Sequence, residues 1–200
     1  MAGIVRTAGQ EAEGKMMDDY SDLVEFPAVV GIDPGKSGFL CCMIEDGMGG
    51  LEFCPVPVIR PKKGKTEYND IYMADILRDW AGKHRIQVVA LEAQQAYPGQ
   101  GGTSNFTTGM GYGIWRGIVA TLRLPLICVH PKTWQKEMFV GVSGKDPKAR
   151  SIQAAGRLFP DVDLRATEHP LAKPHNGKSD SLLIAEWARR SIIGRDAKTP

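Results

Sequence analysis

The sequence predicts an α/β fold, a mixed β-sheet with helices packed on its faces. Three observations point there. Near the N-terminus, three β-rich runs are separated only by turn signals, as in antiparallel strands joined by hairpins. After them, apolar strand-like runs alternate with segments of helical periodicity, which implies crossover connections and parallel pairing. No stretch of about 18 uninterrupted apolar residues competes with this reading as a membrane span.

The elements follow in order. Phe26 to Ile32 contains AVVGI, β-branched and apolar, and ends at the turn Asp33-Pro34-Gly35. Phe39 to Ile44 (FLCCMI) is a second strand, closed by the hairpin signal Asp46-Gly47. Leu51 to Ile59 reads as a third strand, confined to a sheet edge by Pro55 and Pro57. Residues 60–66 (RPKKGKT) form a basic loop. Thr66 to His84 reads as a helix capped by Thr66, with Ile71, Ala74, Ile76, Leu77, Trp80 and Ala81 on its apolar face. Ile86 to Leu91 is a buried strand ending at Glu92, and a Gly-, Gln- and Thr-rich loop runs from there to about Thr107. Helices are expected over 109–123, 131–139, 146–159 and 176–193, with a strand over 125–129. Pro147 occupies the first position of the third of these helices and Pro160 follows its end. One domain is expected over 27–194, preceded by a weakly ordered arm, 1–26, and followed by a tail, 195–200.

Composition narrows the class. The chain has 200 residues, 42% apolar and 24% charged, which is ordinary for a globular domain and excludes collagen, coiled-coil and fully disordered chains. Its net charge of +2 conceals an asymmetry. Residues 1–115 carry 10 Lys and Arg against 15 Asp and Glu, whereas residues 116–200 carry 15 against 8. An acidic half followed by a basic half suits acidic catalytic groups beside a polyanion-binding surface. The four cysteines, Cys41, Cys42, Cys54 and Cys128, have no zinc-ligand spacing and lie in apolar runs, as small hydrophobes do in a reducing compartment. The first 27 residues are too acidic for a transit peptide. A cytoplasmic location is expected, or an organelle if a longer precursor exists.

Three acids stand in informative places: Asp33 at the end of the first strand, Glu92 at the end of the fourth, and Asp180 at the start of the last helix. Each alone has a bland explanation as a turn or helix-start residue. Carboxylates flanked by apolar runs are costly unless exposed, paired or bound to a cation. Strand ends in one sheet can lie side by side with a helix start facing them. That set of hard oxygen donors suits Mg²⁺ or Mn²⁺, and two such ions would support an in-line phosphoryl displacement.

The motifs around these acids resemble those of RuvC-type Holliday junction resolvases. Gly31-Ile32-Asp33-Pro34-Gly35-Lys36-Ser37-Gly38 resembles their opening motif, Val88 to Glu92 their second, and Ser179-Asp180-Ser181-Leu182-Leu183-Ile184-Ala185 their terminal one. Tyr97-Pro98, Gly109 to Trp115, Pro131-Lys132-Thr133-Trp134 and Lys145 to Pro160 are closest to the plastid and phage-type branch. The resemblance spans about residues 28–190. It implies a ribonuclease H-like fold with a mixed five-stranded sheet and helices on both faces. It also implies a homodimer making divalent-metal-dependent paired nicks in four-way junction DNA, with no membrane and no nucleotide cofactor involved.

By the matching positions, Asp33, Glu92 and Asp180 are the implied catalytic metal ligands. The family has a further ligand just before the last acid, but the residue three before Asp180 is Gly177. His175 is the candidate replacement, with Glu168 and His169 behind it; Lys178 is a candidate contact to the scissile phosphate. Candidate DNA contacts are Lys132, Lys136, Lys145, Lys148 and Arg150 in the basic stretch, with Arg60, Lys62, Lys63 and Lys65 in the 60–65 loop. Gln94, Gln95, Tyr97 and Phe106 in the loop after Glu92 offer amides for base edges and aromatics for stacking or wedging. Alternate glycines at 109, 111 and 113 suggest close approach of another backbone. The alternatives are a branched-DNA-binding module that cuts poorly, and a ribonuclease H-like nuclease acting on flaps or RNA–DNA hybrids.

Overall fold

The computed structural model describes residues 26–95, 99, 101–169 and 171–196. The expected arm and most of the expected tail, together with Tyr97, lie outside them. The main sheet has five strands: β1 (Pro27–Ile32), β2 (Phe39–Ile44), β3 (Leu51–Pro55), β6 (Arg85–Glu92) and β7 (Leu126–Val129). Their spatial order is β3-β2-β1-β6-β7. The first three pair antiparallel, and β6 and β7 add in parallel to β1.

The third expected strand is two elements. Pro55 ends β3 in the main sheet. The chain then turns, and β4 (Val58–Ile59) pairs with β5 (Glu67–Tyr68) as a separate hairpin. This also corrects the next helix. Thr66 is not its cap; Asn69 is, its side chain accepting from the Tyr72 N–H, and α1 runs Asp70–Lys83. The loop after Glu92 is shorter than expected, because α2 begins at Gly102 and extends to Thr121. Its first two turns are rich in Gly and Thr, poor helix formers, so packing overrides propensity there. The remaining helices, α3 (Pro131–Met138), α4 (Pro147–Leu158) and α5 (Asn176–Asp196), agree with expectation, with Asp146 capping α4 through the Lys148 and Ala149 amides.

Alternation along β1 sorts its side chains to two cores. Val29 packs with α3, α4 and α5 through Trp134, Met138, Ala154, Leu182 and Ala185. Ala28, Val30 and Ile32 pack with α1 and α2 through Met73, Leu77, Trp80, Trp115 and Val119. Cys41 and Cys42 are buried, but Cys128 is exposed on the edge strand β7, contrary to its expected packing as a core hydrophobe. Among the described residues no helix is long and apolar enough to cross a membrane.

Helix α5 is buried all round from Ser181 to Glu186, because it lies directly on β1. The contact is closest at Gly31. A Cβ there would sit 2.2 Å from the Ser181 carbonyl oxygen and 2.4 Å from the Ala185 nitrogen. The glycine therefore fixes how near the start of α5 comes to the end of β1.

Candidate active site

Register brings the acids together. Ile32 pairs with Leu91 across the parallel β1–β6 ladder, so Asp33 and Glu92, each the next residue, leave the sheet side by side. Asp180 joins them from the first turns of α5, seated on β1 through Gly31. All three side chains are half-buried.

Each carboxylate has its own holder. The Gly35 N–H donates to Asp33 Oδ1 at 3.3 Å. The Trp134 indole N–H donates to Glu92 Oε1 at 3.1 Å, and the Gln94 amide to Glu92 Oε2 at 3.0 Å. Ser151 Oγ donates to Asp180 Oδ1, and Asn176 hydrogen-bonds the same carboxylate. Trp134, Ser151 and Asn176 were not assigned to the site from sequence. Trp134 falls in a matching motif, but nothing in a linear sequence shows that its fully buried N–H finds Glu92. Gln94, expected at a base edge, is occupied in orienting Glu92.

The electrostatics are those of crowded like charges. Burial, then the Glu92 and Asp180 carboxylates, push Asp33 well above the usual carboxylate range. Burial and Asp180 raise Glu92 to about 7, against the pull of its Trp134 and Gln94 hydrogen bonds. Burial raises Asp180 to about 6, moderated by Ser151, Asn176 and the positive charge of Lys148. Among the described residues no three His, Cys, Asp or Glu groups are drawn together closely enough to hold a metal ion as they stand. The three carboxylates are an open, mutually repelling cluster of hard oxygens. Such a cluster fits a divalent cation, whose charge offsets the repulsion that burial intensifies.

A carboxylate raised in the folded state contributes stability that is complete below its unfolded pKa and is lost as pH rises through the folded one. In EDTA, Glu92→Gln should match the wild type in melting temperature at about pH 4, below the unfolded pKa, and exceed it by a few degrees near pH 8. Added Mg²⁺ should favour the wild type instead. Thermal melts of the two proteins at both pH values check this; groups outside the cluster cancel in the comparison, and the relief of Asp33, which Glu92 helps to raise, acts in the same direction.

The remaining candidates are scattered. The His175 ring packs tilted against Phe39, centroids 5.0 Å apart, its Nδ1 is buried without a hydrogen-bond partner, and no hydrogen bond or ion pair ties it to the three acids among the described residues. Gly177 is held against the site: a Cβ there would lie 2.8 Å from the Ser37 carbonyl and 3.0 Å from Asp33 Oδ2. Lys178 is turned away, its ammonium over the Phe53 ring and donating to the Arg165 carbonyl at 3.1 Å. Lys148 is exposed close to Asp180, and Lys132, Lys136 and Lys145 are exposed on α3 and the loop after it. Arg150 lies over the Phe139 ring. Gln95 is exposed, and Phe106, 71% exposed, stands on α2 rather than on a loop. A groove of about 850 Å³ lies at the far end of β2, lined by Met43, Leu51 and Phe159 among others, and holds none of the acids.

Comparison with solved structures decides the fold. Thermus thermophilus RuvC superposes with a TM-score of 0.52 at 18% identity, over 84% of this chain and 96% of that one. The same protein in complex with Holliday junction substrate gives 0.55 at 15% identity, with the same coverage. The chain has the RuvC fold. The yeast mitochondrial Holliday junction resolvase Ydc2 gives 0.53 at 16% identity, over 96% of this chain and 90% of that one. By sequence, the chloroplastic Holliday junction resolvase MOC1 of Chlamydomonas reinhardtii is 26% identical over 107 residues. That match spans 52% of this chain and only 11% of the relative's length. No family model matches. The resemblance read from the motifs is thus borne out in the RuvC-like, ribonuclease H-like fold, with its mixed five-stranded sheet between two helical layers.

Proposed function

We propose that this chain is a Holliday junction resolvase, an endodeoxyribonuclease that nicks opposite strands of a four-way DNA junction symmetrically. The observation that carries the reading is the convergence of Asp33, Glu92 and Asp180 on a RuvC fold, each held by its own hydrogen-bond donors. Asp33, Glu92 and Asp180 would hold Mg²⁺ or Mn²⁺, two ions per site, with His175 the candidate further donor. Bound there, the ions would supply a lowered pKa to water and Lewis acidity toward the scissile phosphate. Trp134 and Gln94 keep both Glu92 oxygens oriented, and Ser151 and Asn176 hold the Asp180 carboxylate. Lys148 offers the phosphate a positive charge at the site's rim, with Lys132, Lys136 and Lys145 beyond it. The products are a 5′-phosphate and a 3′-hydroxyl that a ligase can rejoin.

Two cuts in a two-fold junction ask for a two-fold dimer. Helix α2 supports one. Gly111 packs against Tyr68 of its own chain, but Gly109, Gly113 and Gly117 face open space one turn apart beside exposed Phe106 and Met110. The four free cysteines support a reducing compartment, in the cytoplasm or an organelle.

A second reading, a branched-DNA binder that cuts poorly, is favoured by Gly177, which has no side chain to complete the ligand set. A panel of labelled four-way junction, flap, RNA–DNA hybrid and linear duplex, each with Mg²⁺ and with Mn²⁺, tests both. Preferential junction cleavage is expected. Tight binding without cutting would favour the second reading, and preference for flap or hybrid would replace both.

The support around Glu92 makes a further expectation. Trp134→Phe keeps most of the buried ring and removes only the N–H to Glu92. Losing a partner that orients a metal ligand costs about 10–100-fold in metal affinity or activity. The Mg²⁺ concentration for half-maximal cleavage should therefore rise at least tenfold, with a melting temperature near that of the wild type. Metal titration of the cleavage rate measures it.

A further inference from the structure

The β4–β5 hairpin is fastened to the candidate active site at its base and carries cations at its tip. Val56 N–H donates to the Gly38 carbonyl at 2.9 Å, and Asn69 N–H to the Pro57 carbonyl at 3.1 Å. Lys36 Nζ donates to the Thr66 carbonyl and lies 5.2 Å from the centre of the Tyr68 ring. Tyr68 is the main fastener. Its hydroxyl donates to the Pro34 carbonyl at 3.3 Å, inside the turn that carries Asp33, and its ring end fills the space left by Gly111 of α2. A Cβ at Gly111 would lie 2.3 Å from the Tyr68 oxygen.

Beyond this base, residues 60–65 are exposed throughout. They hold Arg60, Lys62, Lys63 and Lys65 with no acidic residue, turned by Gly64 at φ +115°. Among the described residues, none of these four cations has an ion pair or hydrogen bond. Lys83, by contrast, is paired with Asp79 at 2.7 Å. The tip's charge is therefore uncompensated. It projects from the hairpin whose Tyr68 hydroxyl is bonded to the Asp33 turn.

We propose that the β4–β5 hairpin grips the phosphate backbone of a duplex arm, and that Tyr68 and Lys36 tie that grip to the Asp33 turn so that bound DNA and the acids keep one register. This rests on the proposed junction-cleaving function and adds to it a DNA contact distinct from the Lys132–Arg150 stretch. Tyr68 acts here as a positioning residue.

The test compares the wild type with the triple variants Lys62→Ala/Lys63→Ala/Lys65→Ala and Lys62→Arg/Lys63→Arg/Lys65→Arg, and with Tyr68→Phe, all shown to fold by circular dichroism. Junction affinity is measured from low to moderate salt. Each lost phosphate contact should lower the slope of log K against log salt by about 0.9. The alanine variant should therefore lose about 2–3 in slope and at least tenfold in affinity at low salt, a loss that shrinks as salt rises. The arginine variant should retain both. Tyr68→Phe should bind as the wild type does but cleave bound junction several-fold more slowly. If the wild type binds and cuts junctions and the alanine variant matches it in affinity and slope, the grip is overturned. If Tyr68→Phe cuts at the wild-type rate, the tie is overturned. A wild type that binds no junction overturns the proposed function, and this inference with it.

Discussion

Asp33→Asn should abolish cleavage while leaving junction binding intact. The substitution preserves shape and the Gly35 N–H contact through its remaining carbonyl oxygen, but removes one of three charges from the cluster. Two effects follow in opposite directions. A divalent cation loses a hard anionic donor, and the rate should fall at least about a thousandfold, within the several kcal/mol that metal charge supplies to such a reaction. The folded chain without metal loses a raised, buried carboxylate repelled by Glu92 and Asp180, and should melt higher above neutral pH. Single-turnover cleavage, junction affinity and melts in EDTA measure the three quantities. Loss of activity with loss of stability would instead mean that Asp33 is a structural turn residue.

Gly31→Ala should be severely destabilising, although it adds one methyl group. The added carbon would meet backbone atoms of α5 at 2.2 and 2.4 Å, so no rotamer change relieves the contact. The helix has to move away from β1, and Val29, Leu182, Leu183 and Ala185 lose their packing with it. Overpacking that rotamers do not relieve lies at the upper end of single-substitution effects, about 4 kcal/mol or more. Denaturant melts check the figure. A loss below about 1 kcal/mol would contradict the close β1–α5 approach that delivers Asp180 to Asp33.

What was legible in the sequence was whatever local pattern alone determines. The apolar runs before Asp33 and Glu92 marked two strand ends, and Asp146-Pro147 marked the start of α4. The Pro55 and Pro57 pair signalled a strand in difficulty, but not that the chain would leave the sheet and form a hairpin of its own. Thr66 and Asn69 are both acceptable caps, and only tertiary placement of Tyr68 selects Asn69. The early start of α2 at Gly102 runs against propensity, so no local signal announces it. Holders of the acids come from far along the chain: Trp134 lies 42 residues from Glu92 and Ser151 29 from Asp180. Such contacts exist only once the sheet has paired. Lys178 fits a phosphate by position in the sequence, yet its place on α5 aims it at Phe53 instead.

A resolvase is defined by paired cutting of a four-way junction. An immobile junction labelled on each strand in turn, incubated with the full chain in Mg²⁺, Mn²⁺ or EDTA beside a linear duplex, measures it directly. Metal-dependent nicks at symmetric positions in two opposite strands, with the duplex intact, are the expected result. Equal cutting of the duplex, nicks confined to a single strand, or tight binding with no cutting in either metal would contradict it.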